Sequence, residues 1–291
     1  LLDAVESTRK VFESTSEESE RLAILSQDAI NALQESGLIK LKLPEIFGGA
    51  EADPVTQMEI IEEVTYADSA AGRCLMIGAT SMALPAAFLP DEAVSQFILN
   101  GRAPLASTAF MPTTTAVATD RGQILTGRWT FASGGRHSEW LNLGAFLPND
   151  QGDGPPEHRM FTLPSAQAQI HDNWDTIGLR GAGSCDVSLD NVFVPEEFIY
   201  DVLHGQPRRG GPVYRMGIPA FIANEHAAFA FGVARKALDT IIETSKDKMR
   251  GIPPSLLSER TSFQRTIGEC DMKLRAARAY VFQIHQEAWE G

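Results

Sequence analysis

Between Ile267 and Ala288 the apolar residues fall at Ile267, Cys270, Leu274, Ala277, Val281, Ile284 and Ala288, in alternating steps of three and four. That spacing holds one face of an α-helix apolar for about six turns. A stripe of this length needs other helices to cover it, so the pattern predicts a bundle or coiled-coil seam. The segment before it reads the same way. Ile218, Phe221, Ile222, Phe229, Val233, Leu238 and Ile241 mark one long buried helix.

The first hundred residues are also helical in pattern. Leu22, Leu25, Ala29 and Leu33 form a stripe, and Gly37 is placed to stop it in the left-handed conformation. Asp53-Pro54 is an N-cap followed by proline at the first helical position, with Val55, Met58, Ile61 and Val64 behind it. Asp68 opens another helix through Cys74, Leu75, Ile77 and Met82, and a short one follows Pro90-Asp91-Glu92.

Near residue 103 the period changes from 3.6 to 2. Ala116–Thr119 and Gln123–Thr126 flank the turn Asp120-Arg121-Gly122; Trp129–Phe131 and Trp140–Phe146 read as two further strands. Pro148–Pro156 is a polar, turn-rich break, and Met160–Leu163, Ala168–His171 and Ser184–Val194 complete the run. Short strands with frequent turns predict a barrel or sandwich. The fold class is therefore α+β: an N-terminal helical domain over 1–102, a central β-barrel or sandwich domain over 103–215 and a C-terminal helical bundle over 216–291. No internal repeat is visible.

With 25 Lys and Arg against 38 Asp and Glu, the formal charge is −13, which argues against nucleic acid or an anionic membrane as partner. It leaves room for an anionic small ligand held by a few placed arginines. Cys74, Cys185 and Cys270 lack the spacing of a disulfide framework or a metal site and suit a reducing compartment. No apolar run approaches membrane-spanning length and no signal-peptide pattern opens the chain, so a cytoplasmic protein is expected. The sequence starts at Leu1 without methionine, and a helical pattern still runs at Trp289-Glu290-Gly291. A piece of a longer chain is expected on that ground.

Several segments resemble the acyl-CoA dehydrogenase fold family in order and spacing. Gly37-Leu38, Pro44 and Phe47-Gly48-Gly49 are similar to its early Gly-Leu … Pro-x-x-Tyr-Gly-Gly segment. Ala67–Ala71, Asn191–Pro195 and Phe231–Asp239 resemble its second-helix turn, its barrel exit and its first bundle helix. Gly127–Gly134 with Arg136–Trp140, Trp174–Ser184 and Leu274–Tyr280 resemble the flavin-dependent monooxygenase branch. At the first flavin strand the dehydrogenase branch shows Thr-Glu-Pro-Gly-Ala-Gly-Ser-Asp, whereas this chain has Ser107–Thr113 without the acid and glycines.

The resemblance implies a two-component enzyme. Reduced FMN or FAD comes from a separate reductase, and a small organic molecule is hydroxylated with O2. It also implies a homotetramer built on the C-terminal bundle. It places Ser133 beside the flavin ring, where a hydroxyl near N5 protects the oxygen adduct from decay to hydrogen peroxide; on sequence alone Ser133-Gly134-Gly135 is a turn. Ser107, Thr108, Trp129, Phe131 and Gly134 are the accompanying cofactor-binding candidates. His137 is either a group that deprotonates or orients substrate or an exposed turn histidine. Gly178–Gly183 leads into a strand and so reads as tight turns, not a dinucleotide loop. Arg180 suits a phosphate, a partner or a surface ion pair, and Pro207–Gly211 reads as a mobile loop.

Two other functions stay open. An acyl-CoA dehydrogenase needs a carboxylate base. Counting back from Gly232 puts one family position for it near Ile222, a turn from Glu225. A non-catalytic assembly module of the same fold needs no flavin site at all.

Overall fold

The computed structural model describes residues 1–147 and 156–291. The Pro148–Pro156 break therefore lies outside the described residues, apart from Pro156.

Five helices come first: α1 (Leu2–Leu22), α2 (Gln27–Glu35), α3 (Pro54–Ala67), α4 (Ser69–Phe88) and α5 (Asp91–Phe97). The Leu22–Leu33 stripe does not lie on one helix. Ala23 turns left-handed at φ 54°, ending α1, and the Ser26 side chain accepts from Ala29 N to start α2. Gly37 is left-handed at φ 78° just past the end of α2. The expected caps form: Asp53 accepts from Val55 N and Thr56 N, and Asp68 accepts from Ala70 N. By length and composition α4 would pass for a membrane span, contrary to the expectation that none exists. It is instead a core helix, 89% buried over its apolar window.

Two four-stranded sheets follow, in orders β1-β4-β5-β8 and β2-β3-β7-β6. Their strands are β1 (Ala106–Ala109), β2 (Val117–Thr119), β3 (Gly122–Ala132), β4 (Trp140–Leu147), β5 (Glu157–Pro164), β6 (Gln169–His171), β7 (Cys185–Pro195) and β8 (Ile199–Tyr200). The two strands expected over Gln123–Phe131 are one continuous strand, β3. Trp129 is fully buried among the inward-facing residues, with its indole Nε1 donating to Gly144 O at 2.7 Å. Near its end β3 carries one residue more than β7, since Trp129 faces Val187 and Ala132 faces Cys185. Phe131 sits in that bulge at φ 61° with 65% of its surface exposed. Bulges of this kind re-aim side chains, here one aromatic ring outward.

The chain ends in α6 (Ile218–Ser245) and α7 (Thr261–Glu290). Only the first half of α6 is buried against α3 and α4; Val233 and Ile241 are each 38% exposed. On α7, Ile267, Leu274 and Val281 are half-buried while Cys270, Ala277, Ile284 and Ala288 stay exposed. Ion pairs hold α7 down, Arg278 to Glu62 of α3 at 2.8 Å and Asp271 to Arg235 of α6 at 2.6 Å. The Pro207–Gly211 segment is tied rather than mobile. Arg208 donates to the Phe88 carbonyl at 3.1 Å and Arg209 to that of Leu89 at 2.8 Å, satisfying the C-terminal carbonyls of α4.

Candidate active site

Ser133 follows the bulge and is 2% exposed. Its Oγ lies 2.8 Å from Ser184 Oγ and accepts from Arg73 Nε at 3.3 Å. The turn around it is fixed from three sides. Ser107 Oγ of β1 donates to Ser133 O at 2.7 Å, Gly134 N donates to Ala182 O at 2.8 Å, and Ser138 Oγ donates to Gly134 O at 2.8 Å. Gly134 needs its left-handed φ of 73°, and a Cβ there would meet His137 Nε2 at 2.9 Å. Outside this turn, Phe131 presents its ring to solvent and meets Trp174 edge-on at 6.2 Å between centroids.

Several expected cofactor contacts are engaged elsewhere. The Ser107 hydroxyl is used on the Ser133 carbonyl. Thr108 Oγ1 pairs with Ser81 Oγ at 2.7 Å, in a buried set that includes Asn142 Nδ2 donating to Ser81 O at 2.7 Å. Both residues hold the site from behind, because their hydroxyls are satisfied inside the protein. The Trp129 indole fills the barrel core and cannot face a cofactor. His137 is not an exposed turn residue. Burial, reinforced by the nearby Arg136 charge, pushes its pKa down to about 4, and its Nδ1 is buried without a partner. The imidazole is therefore neutral at pH 7, unlike a group titrating near neutrality.

Glu225 is 1% exposed and spoken for. Its Oε2 accepts from Lys42 Nζ at 2.5 Å and from Thr80 Oγ1 at 2.7 Å. Lys42, fully buried, also donates to Phe221 O at 2.7 Å and lies 4.3 Å over the Phe221 ring. Burial pushes the Lys42 pKa down and the Glu225 charge opposes that shift. A carboxylate so engaged is not a free base for an α-proton. Arg180 resolves to an ion pair with Asp175 at 2.8 Å. The segment from Gly178 passes through a single short turn into β7, as tight turns should.

Sequence reasoning missed Arg73 and Lys42. The signal for Arg73 was present: it is the one charged residue of α4, in a helix with seventeen buried residues among its twenty. Lys42 sits inside Leu38–Leu43, where its neighbours Leu41 and Leu43 are fully buried. The larger hollows lie away from Ser133. One of about 460 Å³ is lined by Leu2, Arg9, Glu63 and Arg278, and one of about 540 Å³ opens between α3 and α6.

With the geometry in place, comparison with known proteins settles the class. Residues 4–100 match the acyl-CoA dehydrogenase N-terminal domain model, and residues 225–291 match the acyl-CoA dehydrogenase C-terminal domain model. The fold matches the crystal structure of 3-HSA hydroxylase from Rhodococcus sp. RHA1 with a TM-score of 0.87. That match is 24% identical and covers 99% of this chain and 75% of that one. The chain belongs to the acyl-CoA dehydrogenase family.

Within that family it groups with the flavin-dependent monooxygenases. It is 29% identical over 290 residues to an indole-3-acetate monooxygenase of Pseudomonas putida, covering 100% of this chain and 72% of the relative. It is 28% identical over 242 residues to the flavin-dependent monooxygenase oxygenase subunit HsaA of Rhodococcus jostii, covering 80% and 62%.

Proposed function

We propose that the protein is the oxygenase of a two-component system. It hydroxylates a small organic substrate with O2, using reduced FMN or FAD delivered by a separate reductase. The observation that carries this reading is the end of β3, where Phe131 presents an exposed ring and, two residues on, the buried Ser133 hydroxyl is held by Arg73 and Ser184. An exposed aromatic face and a hydroxyl fit a flat heterocycle with polar edges. The reduced flavin, when bound, supplies the activation of oxygen.

The chain's own residues then have distinct tasks. Phe131, braced by Trp174, offers a stacking surface. Ser133 Oγ accepts from Arg73 and shares a hydrogen bond with Ser184 Oγ, and where Ser184 is the donor the Ser133 proton is left for the cofactor. Gly134 permits the turn, and Ser107 with Thr108 fixes its position against α4. His137, neutral and packed beside Gly134, positions that turn rather than carrying charge. The exposed half of the α7 stripe supports a homotetramer, with further bundle contacts covering Ile284 and Ala288. The net charge of −13 supports a protein that binds neither nucleic acid nor an anionic membrane, and the three free cysteines suit the reducing cytoplasm.

An anaerobic titration tests the reading. Reduced flavin should bind more tightly than oxidised flavin. On mixing with oxygen, the oxidised-flavin absorbance should return later than it does for free flavin. Rapid bleaching of bound oxidised flavin by an acyl-CoA would overturn it in favour of a dehydrogenase.

A further inference from the structure

Two cations sit in the helical layer, Lys42 fully buried and Arg73 half-buried, and the protein treats them differently. Lys42 has a carboxylate at hydrogen-bond distance and a backbone carbonyl besides. Arg73 has neither. Among the described residues no carboxylate lies within ion-pair distance of its guanidinium, and its hydrogen bonds go to Ser133 Oγ at 3.3 Å and Met76 Sδ at 3.9 Å. Both acceptors are weak for a charged donor, and one nitrogen of the fork, Nη2, makes no hydrogen bond among the described residues.

Burial strips part of the hydration of this half-buried guanidinium and lowers its pKa, while Nη2, absent from the sealed polar atoms that lack a partner, still reaches solvent. The group cannot escape by losing its proton. Glu225, the acidic neighbour that acts on it electrostatically, is already committed to Lys42 and Thr80. Among the described residues no carboxylate is left to pair with Arg73, so the fork stands open to a ligand that enters from solvent. The free edge of a planar fork selects a planar, delocalised anion, for which bidentate contact is available.

We infer that Arg73 is the receptor for the carboxylate of the substrate, so that this site takes aromatic or heteroaromatic acids in preference to their neutral analogues. The inference rests on the monooxygenase reading for the identity of the occupant. The same chemistry could come from the anionic ring of reduced flavin. Two features favour the substrate. Arg73 reaches Ser133 from α4, a different element from the segment that brings Ser184 to it, and its Nε is already held by the hydroxyl expected at the flavin edge. The Nη end of the fork is therefore left for whatever lies next to the ring.

The experiment compares acids with their amides. Phenylacetate and indole-3-acetate are titrated against phenylacetamide and indole-3-acetamide by calorimetry, with and without bound oxidised FMN or FAD. The wild-type protein should bind at least one acid about tenfold to a hundredfold more tightly than its amide. Arg73→Met should erase that preference while leaving amide affinity unchanged, and Arg73→Lys should retain part of it. Acid and amide binding equally to the wild type would overturn the proposal while leaving the monooxygenase reading intact. So would a variant whose defect is confined to reduced-flavin binding with acid preference retained, since the anion is then the cofactor. Failure of the wild type to bind any flavin would sink the monooxygenase reading alone, because the flavin-free acid and amide titrations still decide the role of Arg73. If Arg73→Met does not fold, Arg73→Lys and the wild-type acid-to-amide ratio decide the question.

Discussion

Replacing Glu225 by glutamine tests the buried pair and the dehydrogenase alternative at once. In the native protein Glu225 Oε2 accepts from Lys42 Nζ at 2.5 Å and from Thr80 Oγ1 at 2.7 Å, and both charged side chains are 0–1% exposed. Glutamine keeps the shape and one acceptor but removes the counter-charge. Lys42 then remains fully buried with only neutral partners: the glutamine amide oxygen, Thr80, and the Phe221 carbonyl and ring. Breaking a buried pair from one side typically costs about 3–5 kcal/mol, whereas replacing both partners by apolar groups of similar size is often neutral. Set against a total stability of about 5–15 kcal/mol, the single change is severe. Urea denaturation of Glu225→Gln, Lys42→Met and the double variant Lys42→Met/Glu225→Leu should show both singles destabilised by several kcal/mol. The double variant should recover most of that loss. An active-site carboxylate with no structural duty would behave differently. Glu225→Gln would leave the urea midpoint unchanged and would abolish bleaching of bound oxidised flavin by an acyl-CoA. That pair of results would refute the structural assignment.

Three further expectations follow from the same geometry. On the proposed role of Ser133, Ser133→Ala removes a hydrogen bond to the cofactor worth about 1–3 kcal/mol, so the delay before flavin reoxidation should shorten by roughly one to two decades; an unchanged delay would mean that Ser133 is only a turn residue. The His137 pKa is lowered from 6.5 to about 4 in the fold, so its contribution to stability is complete above pH 6.5 and is lost, by up to about 3 kcal/mol, as pH falls toward 4. Asp68, pushed up to about 6 by burial, acts in the opposite sense. The check is therefore the difference between wild type and His137→Gln in urea at about pH 7.5 and 4.5, where the variant should lose less on acidification. Gly232→Ala would place its Cβ 2.6 Å from both Glu62 O and Thr65 Cβ, forcing α6 from α3 at a cost of about 1–3 kcal/mol; a melting temperature equal to wild type would show that the helices can part freely.

What could be read from the sequence was mostly local. The caps at Asp53 and Asp68 depend on residues two or three positions away, so composition and spacing carry them. The α7 stripe is likewise a property of one helix, and the change of period near residue 103 marks the barrel because strands alternate within themselves. The misreadings arose where a local pattern was continued across a local break, or broken where none exists. The Leu22–Leu33 stripe ignored a left-handed Ala23, and Gln123–Phe131 was divided although no turn interrupts it. The site was legible only through resemblance. Ser133 meets Arg73 across 60 positions of sequence and Lys42 meets Glu225 across 183, distances over which spacing holds no information. Phe131 is aimed outward by a mismatch between two strands, which neither strand reveals alone.

One local clue did point at chemistry, and its logic extends to the whole site. A helix as apolar as α4 gains by being fully buried and loses by carrying a charge, so Arg73, near its N-terminal end, works against the packing of its own element. Seven residues on, about two helical turns, Thr80 faces the same side and joins the Lys42–Glu225 pair. That pair neutralises itself within the protein and, with Thr80, can serve as a fixed strut that ties the Leu38–Leu43 segment and α4 to α6. Arg73 cannot be a strut, because it lacks a charged partner to press against. With no internal carboxylate to hold it, the guanidinium can exchange its remaining water for bidentate contact with a ligand anion. The more of the cation's hydration the fold has already stripped away, the greater the discrimination between an anionic ligand and its neutral analogue. The acid-to-amide ratio at Arg73 therefore measures how far the empty site is held in a charged, unsatisfied state. It should fall toward one in any variant that supplies an internal carboxylate, such as Met76→Glu, beside the guanidinium.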